Sequence, residues 1–420
     1  MRSLRRLVVL GLLGASACSS RETPPPGSGG GGPGTDGGGP GTDGGPIGTN
    51  DCDGVAPASL GTAVSYAEDY DSKTGVCGLA VGNGDGTMAH RVGNDLTTSF
   101  TLINPSGGVN ARFSQSGGGV FALPAGFLCW RFDRFAGTTL LQSILAIDDF
   151  DRSSGPGTTF SMYSPVEGAF VGDVNGGAAH AGTIQLAGEK NQRRVMTFDA
   201  GGAVRWAPRD LAMDSAIFGL GVDLNGRMLV IQDGYAQCAG CILAQWFDGD
   251  GTPLTGSFTL LAGFAAGPAT RFETAPLIGG GLAVRRMDAD RPGQAQRVRS
   301  QWLVTVESGN EAVHAAPGWM TTRPDTNLAL ARGRSAYAVL PNGGFGQPCT
   351  QTVELVSPSG NSCASWTLAL ARDRSCDTLE VRLGLDGTIL QRLPFELESD
   401  RDGSGRTKTC TLRFWPAALH

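Results

Sequence analysis

The feature that most constrains this chain is a repeat of glycine-centred turns. One set of turns sits beside small-apolar strand runs: "DVNGGAAHAG" at Gly176, "VDLNGRMLVI" at Gly226, "LIGGGLAV" at Gly280, "LARGRSAYAV" at Gly333 and "LGLDGTILQRL" at Gly387. Their spacing is about 50–54 residues. A second set follows longer, often aromatic runs: "VMTFDAGGAVRW" at Gly202, "AQWFDGDGTPL" at Gly251, "LVTVESGNEAV" at Gly309 and "VELVSPSGNSCASW" at Gly360. The two sets interleave about 25–29 residues apart. Asp, Asn and Gly at such places are what tight hairpins with positive φ require. No long window shows helical periodicity, so the pattern predicts an all-β chain with two hairpins per repeat unit.

Four short antiparallel strands per unit is the make-up of a β-propeller blade, and a blade buries its faces only against neighbouring blades, so the ring must close. The body, residues 51–420, divided by a period near 52 gives seven blades; six or eight also fit the irregular spacing upstream of Gly176. There "LINPSGGVNARF", "SQSGGGVFAL" and "WRFDRFAG" read as the same elements with altered spacing and an insertion near 142–168. The last stretch, "TKTCTLRFWPAAL", lacks a following strand, so a strand from about 55–100 is expected to complete that blade and lock the ring. Two β-sandwich domains are the alternative. In blade pattern the chain resembles the β-propellers common in exported bacterial lipoproteins.

The N-terminus addresses the chain. Arg2, Arg5 and Arg6 precede an apolar run, Leu7 to Ala17, that is too short to span a bilayer of about 30 Å. With Ala15, Ser16 and Ala17 leading into Cys18, residues 1–17 read as a secretory signal. The stretch resembles a bacterial lipoprotein signal, which implies lipidation of Cys18 and, with Ser19 following, attachment to the outer membrane; Ala15 stands where that family usually has leucine. Residues 18–50 repeat GPGTDGG with almost no apolar side chains and are expected to form a disordered tether averaging roughly 30 Å end to end.

Export also frames the cysteines, because an oxidising compartment favours disulfides. Nine remain in the body after Cys18: Cys52, Cys77, Cys129, Cys238, Cys241, Cys349, Cys363, Cys376 and Cys410. The odd number leaves one free thiol, and Cys129, in the apolar run "GFLCWRF", is the candidate. Cys238 and Cys241 lie between two strands, with no helix N-terminus, no following His and no second pair of matching spacing. A disulfide across a second-to-third strand loop therefore fits better than a redox or metal centre. A Cys52–Cys77 pair would close a longer loop and stabilise more, about 3.5 against about 2 kcal/mol on chain entropy.

Candidate sites are few. "FDGDG" reads as a third-to-fourth strand turn on the face opposite the cysteine loop, with too few oxygen ligands for calcium. In "SDRDGSGRT", Asp400, Asp402 and Ser404 match early positions of a calcium loop, but Thr411 stands where a bidentate glutamate is needed; otherwise no cofactor is expected. The scattered histidines share no motif, and there is no nucleophile elbow or phosphate loop. Arginines concentrate in three segments read as second-to-third strand loops: Arg193 and Arg194; Arg291, Arg297 and Arg299; Arg401 and Arg406. Projecting from one face, they would form a basic rim for phosphate or carboxylate groups of an envelope polymer. The net charge of -6 argues against nucleic acid. The reading is of a monomeric, membrane-tethered binding or scaffold lipoprotein with a glycan or protein partner; the alternative is a propeller lyase or hydrolase acting on polysaccharide.

Overall fold

A computed structural model describes residues 52 and 54–420, apart from 72–75, 94–97, 116–117, 137–138, 163–168, 174–175, 186–191, 213–214, 235–236, 239, 265–269, 290–297, 342–350, 369–379, 394–395 and 398–406. The architecture is a seven-bladed β-propeller. Blade 1 comprises Val76–Gly82, Met88–Gly93, Thr98–Ile103 and Val109–Gln115, in that order from the centre outwards. The inner strands of blades 2 to 7 are Gly119–Ala122, Ala169–Gly172, Ile217–Val222, Thr270–Pro276, Thr326–Ala331 and Glu380–Leu383. These strands contact one another in sequence round the ring, except that the inner strand of blade 7 meets blade 6 chiefly at the second strand of blade 6, Ala336–Pro341. Among the described residues the one helix is Gly318–Thr321, and none is long and apolar enough to cross a membrane.

The ring closes as the repeat demanded. The strand Val64–Asp71 pairs antiparallel with the C-terminal strand Thr407–Trp415, from Val64 opposite Phe414 to Asp71 opposite Thr407. Blade 7 thus takes its outer strand from the N-terminal end and its other strands from the C-terminal end.

Among the described residues, the seven larger of nine apolar clusters show why only a closed ring satisfies this sequence. Each joins two consecutive blades. Met228 and Val230 pack towards blade 3 with Val171 and Val195, while Leu229 and Ile231 of the same strand pack towards blade 5 with Phe272 and Val284. Tyr66, Leu412 and Phe414 of blade 7 pack on Ala80 and Met88 of blade 1, completing the circle. Strands buried on both faces read as unbroken apolar runs. Fully burying a side chain the size of Phe247 or Leu229 contributes about 1.5–3 kcal/mol, and a blade standing alone would lose much of this on each face. Two sandwich domains would not give a circular chain of cores.

The turns explain the repeat atom by atom. Asp223 Oδ1 accepts the backbone N–H groups of Asn225 and Arg227, and Gly226 follows at φ 76°. Asn83, Asn104, Asp148 and Asp199 make the same pair of bonds two and four residues on. Upstream of Gly176 the structure corrects one reading. The segment near 142–168 is not an insertion: it holds the third and fourth strands of blade 2, Thr139–Ile147 and Thr158–Met162. Its turn escaped the glycine pattern because Asp151, not glycine, takes the positive φ of 60°. Blade 2 also runs into blade 3, since Met162 and Ser161 pair with Ile184 and Gln185, making one eight-stranded sheet.

Candidate functional site

Ionised side chains gather on the first and second strands of blades 5 and 7. In blade 5, Glu273 lies opposite Arg285 of the second strand, Leu282–Ala289, and the two form an ion pair. Arg285 also donates to the Thr326 carbonyl and to Asn327 Oδ1 of blade 6, with its guanidinium over the Trp302 ring at 5.5 Å. In blade 7, Glu380 lies opposite Arg392 and repeats the blade 5 pair at the same distance from the turn. Arg382 donates to Glu380 Oε1 from Nε at 3.0 Å and from Nη2 at 2.6 Å, and Arg392 donates to Oε2 at 3.2 Å. Arg392 further donates to the Cys77 carbonyl of blade 1. Hydrogen bonds therefore tie blade 5 to blade 6 and blade 7 to blade 1, and the two groups are coupled electrostatically through Glu273 and Arg382.

Charge holds these groups in their ionised states. Burial pushes the Glu273 carboxyl up, but Arg285 and Arg382 outweigh it, leaving the group below the ordinary carboxylate range. Glu380 behaves likewise, with burial opposed by Arg382 and Arg392. For Arg382 burial works downwards and Glu380 and Glu273 upwards, with a net rise. Solvent still reaches 20% of the Glu380 side chain and 16% of Arg382. Three guanidinium groups face two carboxylates, so the cluster carries a net positive charge.

An aromatic group joins blades 2 and 3. Trp130 stacks on Phe170 at 4.3 Å, and Phe170 on His180 at 4.1 Å. Burial pushes His180 down to about 3, against a bond between Nδ1 and the Ala169 carbonyl, so the imidazole is neutral. Trp130 and Phe170 pack against the blade 2–blade 3 core, which gives the group a packing role.

Of the arginines expected to form a rim, Arg193 and Arg194 fall inside the strand Gln192–Phe198 rather than in a loop. Arg194 is buried, with Nε 2.8 Å from Asp210 Oδ1 and further bonds to Gln192 and the Ile184 carbonyl. A guanidinium placed in the blade interior is held by its own neighbours and does not reach out from the face. Arg299 lies in the strand Val298–Val306. Arg291, Arg297, Arg401 and Arg406 lie outside the described residues, as do Asp400, Asp402, Ser404, Cys18, Cys349 and Cys376. Cys238 and Cys241 form a disulfide in the loop between Met228–Asp233 and Ile242–Phe247, and "FDGDG" is the hairpin one strand later. Cys52 and Cys77 do not pair with each other; Cys52 bonds Cys363 and Cys77 bonds Cys410. Cys129 is free and buried.

The sequence reading missed the inner-strand cluster. Its signal was present: Glu273 with Arg285, and Glu380 with Arg392, are each a glutamate and an arginine 12 residues apart, straddling a first-to-second strand turn.

No protein-family model matches the chain, and no curated protein sequence matches it. Among solved structures it is similar to the Dos1 propeller, at 9% identity over 80% of this chain and 78% of that one, TM-score 0.40. It is similar to the polysaccharide lyase Uly1, at 10% identity over 79% and 88%, TM-score 0.44. It is also similar to prolyl oligopeptidase B from Galerina marginata, at 8% identity over 76% of this chain and 47% of that one, TM-score 0.41. The chain thus spans about half the length of the peptidase. These likenesses are too distant to carry an activity across.

Proposed function

We propose that the chain is an exported, lipid-anchored binding protein whose propeller holds a partner bearing carboxylate, sulfate or phosphate groups, such as an anionic envelope glycan. Cys18 is the anchor and residues 18–50 the leash. The observation that carries the ligand class is the cluster of Arg285, Arg382 and Arg392 around Glu273 and Glu380, on the first two strands of blades 5 and 7. Arg382 commits Nε and one amino group to Glu380, and its other amino group has no partner among the described residues. A planar guanidinium with a free donor, already oriented by a carboxylate, suits an incoming oxyanion. Both carboxylates are held ionised, so neither supplies a proton as a general acid at neutral pH.

The test is retention of the folded chain on immobilised uronate- or sulfate-bearing polysaccharides, with Arg382→Ala compared at several salt concentrations. Binding by the wild type, weakened at least about tenfold in the variant and falling with salt, is expected. No retention of the wild type on any anionic polymer overturns the ligand class. Release of shortened oligosaccharides during the assay would turn the reading towards a lyase or hydrolase.

A further inference from the structure

The ring-closing joint between blades 7 and 1 holds a group of metal-binding side chains. Cys77 lies on the inner strand of blade 1, His90 on its second strand, and Cys410 on the long C-terminal strand of blade 7. All three are buried, and their ligand atoms lie within 4.8 Å of one another. His90 Nε2 is 3.4 Å from Cys410 Sγ. The other ring nitrogen, Nδ1, is buried without a hydrogen bond and faces Glu68 Oε2 at 3.7 Å. Glu68 belongs to the closing strand, and Thr101, at 2.8 Å, and Arg112, at 3.3 Å, position its carboxylate.

We propose that Cys77, Cys410 and His90 are the ligands of a buried zinc site that replaces the Cys77–Cys410 disulfide when the pair is reduced. Two thiolates and an imidazole, with a water molecule as fourth ligand, form a set zinc favours, and a carboxylate behind the second imidazole nitrogen is the usual outer support of such a histidine. Zinc–sulfur bonds of about 2.3 Å and zinc–nitrogen bonds of about 2.0–2.1 Å place tetrahedral ligand atoms roughly 3.4–3.8 Å apart. His90 and Cys410 already have that separation, and the two sulfurs must draw apart. The Cys77 and Cys410 Cα atoms, 5.6 Å apart, need little movement for this. Charge also fits: two thiolates neutralise the dication, and the complex suits a buried joint.

The chemistry balances with a dithiol as reductant. One of its thiolates attacks a disulfide sulfur and its second thiol displaces the other cysteine. The reductant leaves as a cyclic disulfide, its two protons passing to Cys77 and Cys410. Zinc then displaces both protons to solvent as it binds. In either state, blade 7 stays joined to blade 1.

The probe is cobalt(II), added anaerobically to dithiol-reduced, desalted chain carrying Cys238→Ser and Cys241→Ser, which removes the loop pair. One equivalent giving intense sulfur-to-cobalt absorption and tetrahedral d–d bands, displaced by zinc and absent from the oxidised chain, is expected. Cys77→Ser and His90→Ala should each weaken it at least tenfold. No such bands in the reduced chain, or bands unchanged in both variants, would overturn the proposal. If Cys77→Ser does not fold, His90→Ala decides, since it folds with its disulfide available.

Discussion

Two disulfides on this propeller use the same bond to different ends. Cys238 and Cys241 are 3 residues apart and close one loop in blade 4. Cys77 and Cys410 are 333 apart and close the ring. A cross-link stabilises mainly by restricting the unfolded chain, so the loop strap contributes about 2 kcal/mol and the ring strap up to about 5–6 in the chain-entropy account. The ring strap also sits where the fold has most to lose. Tyr66, Leu412 and Phe414 meet Ala80 and Met88 there, and these contacts exist only while the two ends of the chain stay together. What a disulfide is worth follows from the topology it closes.

The largest expected effect comes from cutting both long straps. Cys52–Cys363 spans 311 residues and ties the segment before the closing strand to blade 6. With either long strap in place, the other closes only the remainder, a loop of roughly 70 residues, and contributes about 4 kcal/mol. With both absent the loss should approach about 10 kcal/mol, more than the two single losses together. Denaturant midpoints of Cys52→Ser/Cys363→Ser, Cys77→Ser/Cys410→Ser and the quadruple variant form the cycle that checks this. Additive losses would mean that the unfolded chain retains structure which already holds the ends together.

Next in size is the ion-pair network running into the same joint. Glu380→Gln leaves Arg382 and Arg392 side by side without their carboxylate, at an expected cost of about 3–5 kcal/mol. The pH dependence has a definite sign. Glu273 and Glu380 have folded-state carboxyls below the ordinary value of 4.5, so their stabilisation is present above it and is lost as pH falls through the lower folded values. Unfolding midpoints should therefore drop on acidification below about 4.5, with Glu380→Gln showing a shallower fall. Equal slopes in the two proteins would assign the acid loss to other carboxylates.

How much of this was legible in the sequence follows the same division between local and closing features. Turns announce themselves: Gly226 and Gly387 take positive φ, with Asp223 three residues before the first and Asp386 directly before the second accepting backbone N–H groups of the turn, so the repeat and the seven blades could be read from spacing. The Cys238–Cys241 loop is local in the same sense. The pairing of Cys52 with Cys363 was not legible, because spacing in the chain does not report which ends a ring brings together. The inner-strand cluster was legible only in part: each glutamate–arginine pair, 12 residues apart across a turn, stands in the sequence, but the coupling of Glu273 in blade 5 to Arg382 in blade 7 appears only in the fold. Arg194 misled for the converse reason: its neighbours in the sequence are polar, while its partner Asp210 lies on the next strand.

The smallest effects belong to the loop strap, and there the comparison can be made sharpest. Cys238→Ser/Cys241→Ser should lower stability by about 2 kcal/mol or less and leave the ring untouched. Cys129 offers a reporter of the difference. It lies in the core between blades 1 and 2, with Phe100 and Phe127, and burial raises its thiol so that little reactive thiolate forms. Alkylation there, followed by peptide mass mapping, thus measures opening of the ring beside its joint. Cutting the loop strap in blade 4 should leave the Cys129 rate within about twofold of the wild type, whereas Cys77→Ser/Cys410→Ser should raise it by an order of magnitude or more. Equal rates in the two variants would mean that the joint between blades 7 and 1 opens independently of the core next to it, and that the ring strap acts on the unfolded chain alone.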